Sequence, residues 1–464
     1  MLIFLLVFSV FFLILAIKKL DWALMLTIIL LPAYLLRFNV LGLPTTLLEV
    51  MIILSALVWV FRNYKTFWSN LRSRLAKTSE IQRYPFDWEI VALLIVSLLA
   101  VGLSGFNNSA LGLWRAFFFE PVLFYLIVIN VLGRSQNLGK IIWPLSISAL
   151  GITLVAWYQE FVDLTFLNPV WSEQMRATSV FPFSNAVGLY LAPITIILLG
   201  WLLAKEKTWR ELNQKFWLKA IYLIVVIFGS WGAIFFARSE GALIGLVGAF
   251  VVMGLLAGRK SAISTLIILV LGSTLIWFTP VLKNYVWKKA TLQDLSGEIR
   301  KQQWRETKNM LSVGSRWFLG AGLANYQTAV RPWHQEGIFF NRDHDVDFHK
   351  QTVFSAEYRK THWQPVEIYM YPHNILLNFW SELGLMGMLL FVWLFVKFAY
   401  SGIKLLTGKF SVSQGRFLVL GLLGAIVVII VHGWVDVPYF KNDLAILFWL
   451  IMAMMGLINL WNKK

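Results

Sequence analysis

The sequence predicts an all-α polytopic membrane protein, and two observations support this prediction. Of the 464 residues, 58% are hydrophobic and only 14% are charged, whereas a soluble protein carries roughly a quarter charged residues. Apolar runs of about 17 to 25 residues recur along most of the chain, which is the length that crosses a bilayer as a helix. The runs indicate about 12 or 13 transmembrane helices.

The predicted spans follow one another without an evident internal repeat. The first has no basic residue before it and no small-residue cleavage pattern, so it predicts a retained membrane segment and not a removable signal peptide. The first two spans are the shortest, and half-helices stay an alternative for them. The spans lie near residues 2–17, 22–36, 45–62, 88–104, 115–133, 139–161, 183–203, 217–237, 239–257, 262–281, 373–400, 417–435 and 442–461.

These spans divide the chain into three parts. Residues 1–281 form an N-terminal bundle of transmembrane helices, residues 282–372 form one large polar loop, and residues 373–464 return to the membrane. Within the loop, the segment Val286 to Met310 places apolar residues among many charges, which predicts an amphipathic helix at the membrane interface.

Basic residues occupy every second connection between the spans. Lys and Arg collect on the cytoplasmic side of membrane proteins, so Lys18, the 63–83 segment, the 204–216 segment and Lys464 are predicted to face the cytoplasm. The 282–372 loop is then extracytoplasmic. The net charge of +17 follows from this pattern and does not indicate nucleic acid as a partner.

The stretch Tyr371-Pro-His-Asn-Ile places His373 where the large loop enters a membrane helix. A neutral imidazole in this position can take a proton from a hydroxyl at neutral pH. The alternative is a polar helix cap whose ring bonds a backbone carbonyl, with Asn374 and Asn378 as partners in helix packing. His373 is therefore a candidate general base.

Two arginines are predicted to open on the same side of the membrane as His373. Arg238 lies between two apolar runs with almost no loop, where a cation is costly unless it faces water or an anion; an ion pair with Glu240 is the alternative. Arg176 precedes a predicted helix start at Pro182 and Asn185, whose free N–H groups favour anions. Arginine forks match phosphate oxygens, so both could hold a pyrophosphate.

Other polar residues near this face are weaker candidates. Glu382 is an intramembrane carboxylate, for which function and a structural hydrogen bond are both open. His432 and Asp436 are four residues apart and are predicted to share a helix face, either as a catalytic or as a structural pair.

Metal, thiolate and nucleotide chemistry find little support in the sequence. The acidic run Asp343 to His349 could hold a hard cation, but it is interpreted as solvated loop, and no metal site or cofactor is predicted. The chain has no cysteine and no phosphate-binding glycine loop, which excludes cysteine nucleophiles and gives no sign of ATP use. Tryptophans of the large loop suit an interfacial belt or stacking on sugars: Trp304, Trp317, Trp333 and Trp363.

Four segments together resemble the O-antigen ligase and polymerase superfamily. They are Arg176-Ala-Thr-Ser-Val-Phe-Pro-Phe-Ser-Asn-Ala, Ala237-Arg-Ser-Glu-Gly-Ala, Trp317-Phe-Leu-Gly-Ala-Gly-Leu-Ala-Asn-Tyr and Pro372-His-Asn-Ile-Leu-Leu-Asn-Phe-Trp-Ser-Glu-Leu-Gly. The arginine motif here reads Arg-Ser-Glu-Gly-Ala, whereas many members have Ser-Arg-Gly.

The resemblance implies an inverting, metal-independent glycosyltransferase with a helical membrane fold related to the GT-C class. Its donor would be a glycan on undecaprenyl pyrophosphate at the outer face of the bacterial cytoplasmic membrane, and its acceptor a glycan, lipid or protein. By the resemblance, His373 is the base, while Arg238 and Arg176 hold the pyrophosphate. The residues that the sequence itself offers for supporting roles are Asn374, Glu382, His432 and Asp436. Ligase and polymerase activities share these motifs, so both stay open.

A membrane transporter of a small anion or glycan precursor is the competing hypothesis, because basic residues around a cavity would serve it too. A transporter should place its polar residues near the midplane of the membrane. The transferase should place them at one face.

Overall fold

The computed structural model describes residues 2–40, 43–75, 85–167, 175–204, 214–343, 345–408 and 415–462. Within these ranges, residues 2, 43, 65–75 and 214–216 are described by their backbone alone. The predicted cytoplasmic positions in 76–83 and 205–213, together with Lys464, lie outside the described residues.

Helices dominate the described part of the chain, which confirms the all-α class. Those before the large loop are α1 (Leu2–Lys18), α2 (Leu20–Ile29), α3 (Leu47–Leu75), α4 (Asp87–Leu103), α5 (Asn108–Trp114), α6 (Glu120–Val131), α7 (Gly139–Phe161), α8 (Ser184–Ala204), α9 (Gln214–Phe236), α10 (Glu240–Ala257) and α11 (Arg259–Phe278). The loop carries α12 (Pro280–Ala290), α13 (Leu295–Leu311), α14 (Arg316–Leu319), α15 (Tyr326–Val330), α16 (Phe348–Phe354) and α17 (Ala356–His362). After it come α18 (Ile375–Thr407), α19 (Gly415–Gly433) and α20 (Asn442–Asn462).

Strands form only two short antiparallel hairpins in the described ranges. The first pairs β1 (Arg37–Val40) with β2 (Leu43–Thr46) between α2 and α3. The second pairs β3 (Gly337–Phe339) with β4 (Trp363–Pro365) and closes the part of the large loop that contains α16 and α17.

Ten helical segments of the described chain are long and apolar enough to cross a membrane. Shorter apolar helices account for the three remaining predicted spans, since α1, α2 and α4 contain 17, 10 and 17 residues. The second predicted span is not one continuous α-helix, because α2 ends at Ile29 and the chain continues as the 3₁₀ segment Leu31–Leu35. Pro32 lies at the start of that segment and offers no N–H to extend the α-helix.

The centre of the bundle is formed by α8 and α20, because 89% of each span is buried inside the protein. Helices α8 and α19 approach closely, as a Cβ added to Gly200 would lie 2.8 Å from the Cα atom of Gly421. Small residues allow membrane helices to pack backbone to backbone, where van der Waals contact replaces the hydrophobic effect as the driving force. This packing fixes the ends of α8 and α19 relative to each other.

The predicted amphipathic helix over Val286 to Met310 is interrupted in the structure. Leu292 has a φ of 52°, and the Asp294 side chain caps α13 by accepting a hydrogen bond from the Gly297 amide at 3.1 Å. The buried face of α13 is largely polar and includes Gln302, Gln303, Glu306 and Thr307. The helix therefore packs a polar face into the protein, which the apolar residues of the sequence did not indicate.

The Gly320–Gly322 segment of the large loop docks on a kink in α18. Gly384 has φ 77° and ψ 179° within this helix, a conformation that is essentially restricted to glycine. A Cβ at Gly384 would collide with the Phe318 carbonyl oxygen. The Ala321 amide donates to the Ser381 carbonyl at 2.6 Å, and the Ala324 amide donates to the Glu382 carboxylate at 2.6 Å.

The kink yields a first prediction. Gly384→Ala should lower the stability of the protein by about 1–3 kcal/mol, because alanine adopts this backbone conformation only under strain. Gly272→Ala in α11 is the matched control, since a Cβ there has no neighbour within 4 Å. Thermal unfolding in detergent should show a lower midpoint for Gly384→Ala alone. Equal midpoints for both variants would contradict the proposed role of the kink.

Candidate active site

His373 is held in place from both sides. Its φ of 45° turns the chain sharply before α18 begins. On one side, the Trp304 indole donates to the Pro372 carbonyl at 2.9 Å. On the other, Asn374 caps α18 by accepting from the Leu377 amide at 3.0 Å, and its amide nitrogen donates to the Trp434 carbonyl at 3.0 Å. Asn374 is thus the helix cap, and the His373 ring is free for another role.

The His373 ring contacts α13 and two tyrosines. Its Nδ1 atom lies 2.9 Å from Oε1 of Gln303, a residue only 3% exposed. The rings of Tyr369 and Tyr371 meet the imidazole edge to face, with centroids 5.1 and 4.9 Å away. Because a carbonyl oxygen only accepts, this arrangement places the proton on Nδ1 and leaves Nε2 as the basic nitrogen.

The surroundings of His373 keep the imidazole uncharged. Burial lowers its pKa from the ordinary value, and the cations Arg300 and Lys441 act in the same direction, while Asp436 opposes them. Since the ordinary value is about 6.5, His373 is neutral at neutral pH. A neutral imidazole with an unprotonated Nε2 is able to accept a proton from a hydroxyl.

Asp436 forms the negative centre of the site. Its side chain is buried and accepts hydrogen bonds from the Val437 amide at 2.8 Å and from the Asn185 amide group at 3.4 Å. Burial alone would raise its pKa, but His373, His432 and Lys441 together lower it below the ordinary value. Asp436 is therefore ionised at neutral pH.

His432 lies near Asp436, but the two do not share a helix face as predicted. Helix α19 ends at Gly433, so Asp436 belongs to the irregular segment that follows it. The His432 ring is buried against Gly241, and its Nδ1 atom has no hydrogen-bond partner among the described residues. The geometric prediction was wrong because the helix ends three residues too early.

Arg176 is connected to Asp436 through Asn185 in the first turn of α8. The Arg176 guanidinium donates to the Asn185 side-chain oxygen at 2.8 Å and to the Ala237 carbonyl at 3.1 Å. Asn185 in turn donates to Asp436. Arg176 is thus fixed between the start of α8 and the turn from α9 to α10.

Arg238 occupies that turn with a φ of 48° and an exposed side chain. Within the described ranges its guanidinium has no hydrogen bond or ion pair to another residue. The predicted alternative, a pair with Glu240, is wrong, because Glu240 binds Lys289 of α12 at 2.8 Å. Lys289 also binds Asp294 at 2.9 Å, which ties the large loop to the turn that carries Arg238.

Positive charge accumulates around the two arginines. Burial lowers the pKa of Arg176, and the nearby cations Arg238 and Arg300 lower it further against the opposing charge of Glu240. The Arg300 Nε atom and the Gln303 amide nitrogen are both buried without a hydrogen-bond partner among the described residues. An anionic group would relieve the repulsion and accept from these donors.

Sequence reasoning missed four residues of this arrangement: Asn185 as a bridge, Arg300, Gln303 and Lys441. Arg300 and Gln303 are three residues apart and so share a face of α13. That spacing was available in the sequence, but the apolar residues of α13 led to the prediction of an amphipathic helix at the membrane interface. Lys441 stands over the Phe183 ring at 5.4 Å, a contact that only the tertiary structure reveals.

Glu382 lies apart from His373, and the acidic run forms hydrogen bonds within the large loop. Glu382 is nine residues farther along α18, about 13 Å at 1.5 Å per residue, and its carboxylate binds Ala324. In the acidic run, Asp345 accepts from Gln351 at 2.8 Å and from Tyr358 at 3.0 Å; His344 lies outside the described residues. Across the described residues, no group of three or more His, Asp or Glu side chains is arranged to hold a metal ion.

Residues 224–392 match the family model described as O-antigen ligase. The matched stretch contains Arg238, Gln303 and His373. This match supports the resemblance of the chain to the O-antigen ligase and polymerase superfamily. Curated proteins gave no match to the chain.

The matched stretch supports a function of the O-antigen ligase or polymerase type in polysaccharide biosynthesis. The long apolar helices indicate a multi-pass membrane protein, which agrees with this match. Arg176 lies before the matched stretch, and the structure connects it to that stretch through the Ala237 carbonyl.

Arg115 and Arg238 provide a second prediction. Arg115 pairs with Glu49 at 2.7 Å and with Glu120 at 3.2 Å, and both carboxylates are buried. Arg115→Gln should destabilise the protein by about 3–5 kcal/mol, because it leaves two buried carboxyl groups without their partner. Arg238→Gln should leave the thermal midpoint unchanged, since it removes no contact. A comparable loss of stability in Arg238→Gln would show that Arg238 has a structural partner.

Proposed function

We propose that this protein transfers a glycan from undecaprenyl pyrophosphate to an acceptor hydroxyl at the outer face of the cytoplasmic membrane. The observation that supports this most directly is that a neutral His373 lies near Asp436, which Asn185 connects to Arg176, while neither Arg176 nor Arg238 forms an ion pair with a carboxylate of the described chain. The alternation of basic connections supports an outward position for this face.

His373 would act as the general base on the acceptor. Its Nε2 atom takes the hydroxyl proton while the acceptor oxygen forms a bond to the anomeric carbon. Gln303 continues to accept from Nδ1, and the ionised Asp436 stabilises the imidazolium that results. General-base catalysis of this kind contributes roughly 10²- to 10⁴-fold to the rate.

The arginines would stabilise the leaving group. As the bond from the anomeric carbon to the pyrophosphate oxygen breaks, its electron pair passes to the pyrophosphate, and negative charge grows there. Arg238 is free to form bidentate hydrogen bonds with phosphate oxygens. The Arg176 guanidinium lies beside it and donates to the Arg238 carbonyl. Prepositioned donors stabilise such charge without reorganisation. These cations supply the positive charge, so we infer a reaction that needs no metal ion, and in-line attack would invert the anomeric centre.

The position of the site favours the transferase over a transporter. Arg176 precedes α8, Arg238 joins α9 to α10, His373 precedes α18, and Asp436 follows α19. All four lie at helix ends on one face of the bundle, which we call the His373 face. A carrier would require polar groups near the midplane of the membrane.

Loss of the base provides a third prediction. His373→Ala should lower glycan transfer at least 10²-fold, in line with removal of a general base, and it should leave the thermal midpoint nearly unchanged. His349→Ala is the matched control, because this histidine is exposed on the large loop. Product formation from a lipid-linked donor in reconstituted membranes measures both variants. Turnover of His373→Ala at the rate of His349→Ala would contradict the mechanism.

The pH dependence provides a fourth prediction. The enzyme is active when His373 is neutral, so the rate should rise with pH up to the pKa of His373 and stay level above it. Because that pKa is lowered, the rise should occur below about pH 6.5. Gln303→Glu should move the rise to higher pH, since a carboxylate beside Nδ1 favours the imidazolium.

Gln303→Leu is the matched variant for this measurement. It removes the acceptor without adding charge, so it should slow transfer and leave the rise where it is or move it to lower pH. Identical pH profiles for the wild-type protein and Gln303→Glu would contradict the assignment of His373 as the titrating base.

A further inference from the structure

A polar cavity lies at the end of the helix bundle away from His373. It has a volume of about 590 Å³ and is lined by residues from the C-terminal end of α1, the start of α2, the middle of α3, the end of α6 and the start of α7. None of the residues of the candidate active site lines it.

Helix α7 places this cavity on the membrane face opposite to the His373 face. Lys140 in its first turn lines the cavity. Near its other end, the Gln159 side chain accepts hydrogen bonds from the amides of Thr178 and Ser179 at 2.9 and 2.6 Å, in the segment that follows Arg176. The 23 residues of α7 correspond to about 34 Å, which is enough to cross the hydrocarbon core of a bilayer, about 30 Å thick.

The cavity is strongly positive. Five cations line it, and Asp21 is the one acidic residue among its lining residues, so the formal charge is 5 − 1 = +4. Lys140 binds Asp21 at 2.9 Å. Arg62 donates to the Ile17 carbonyl. The three other cations have no side-chain partner among the described residues: Lys18, Lys19 and Arg134.

The surroundings of the cavity are apolar and suit lipid chains. Leu20, Trp59 and Val131 contribute to its walls. On the surface of the helix bundle beside the cavity, the side chains of Ile17 and Trp22 are 54% and 60% exposed. Tryptophan is typical of the boundary between headgroups and hydrocarbon. A ligand held here would have an anionic head among the cations and an apolar part against α1 and α2.

We propose that this cavity binds the phosphate headgroup of an anionic phospholipid from the leaflet opposite to the His373 face. Clusters of Lys and Arg at the end of membrane helices attract anionic headgroups, and basic pockets between helices hold them specifically. The proposal does not depend on the glycan-transfer mechanism, because the two sites lie on opposite faces and share no residue.

The experiment uses the full-length protein in detergent and measures bound lipid by native mass spectrometry. Phosphatidylglycerol is the anionic probe, phosphatidylcholine the neutral one, and inorganic phosphate the soluble one. The wild-type protein should retain phosphatidylglycerol in preference to phosphatidylcholine, with millimolar inorganic phosphate displacing little of it. Lys19→Gln combined with Arg134→Gln should weaken binding about thirtyfold, as expected for two cations near the membrane surface.

The control removes two cations that do not line the cavity. Arg259 and Lys260 begin α11 and are exposed, and the double variant Arg259→Gln with Lys260→Gln should retain the lipid. Equal loss in both double variants would overturn the proposal in favour of diffuse attraction. Displacement by inorganic phosphate would overturn it in favour of a soluble anion. A thermal midpoint for each variant confirms that folded protein is compared, and Lys18→Gln, which changes one exposed side chain, repeats the test if Arg134 proves necessary for folding.

Discussion

The candidate active site depends on the buried carboxylate of Asp436. It is held by the Val437 amide and by Asn185, and it interacts with His373, His432 and Lys441. Through Asn185 it also positions Arg176. A buried charge of this kind is tolerated only where hydrogen bonds and opposite charges compensate it. Asn185 lies in α8, His373 precedes α18, and Asp436 follows α19. The interactions of this carboxylate therefore connect the ends of three helices in one polar site.

Arg115 and Arg238 differ in their partners, and this difference distinguishes a structural arginine from one that is available for a ligand. Arg115 neutralises two buried carboxylates and stabilises the contact between α3 and α6. Arg238 has no such partner within the described chain, and the carboxylate two residues away is bound by Lys289. The turn from α9 to α10 thus keeps a cation available, although the usual distribution of Lys and Arg would disfavour positive charge on the extracytoplasmic face where we propose that it lies. The proposed anionic substrate would offset that cost.

Much of the fold and part of the site could be predicted from the sequence. Long apolar runs determine membrane helices almost by length alone. His373 stood out as a titratable group where the large loop enters a helix, Arg176 as a cation before a helix start, and Arg238 as a cation between two apolar runs. Gln303 and Arg300 were missed, because the side of α13 that faces the protein depends on the docking of the large loop. The end of α19 at Gly433, which leaves Asp436 outside the helix that contains His432, could not be predicted from the sequence either. Local sequence patterns do not record where tertiary contacts end a helix.

The central claim is that Arg176, Arg238 and His373 act on one lipid-linked pyrophosphate donor. Its most direct test is a cryo-EM structure of the protein with a non-hydrolysable undecaprenyl-pyrophosphate glycan in a lipid nanodisc. The account predicts phosphate oxygens within about 3 Å of both guanidinium groups, with the anomeric carbon facing Nε2 of His373. A pyrophosphate bound in the basic cavity at Arg134, on the opposite face, would contradict the account.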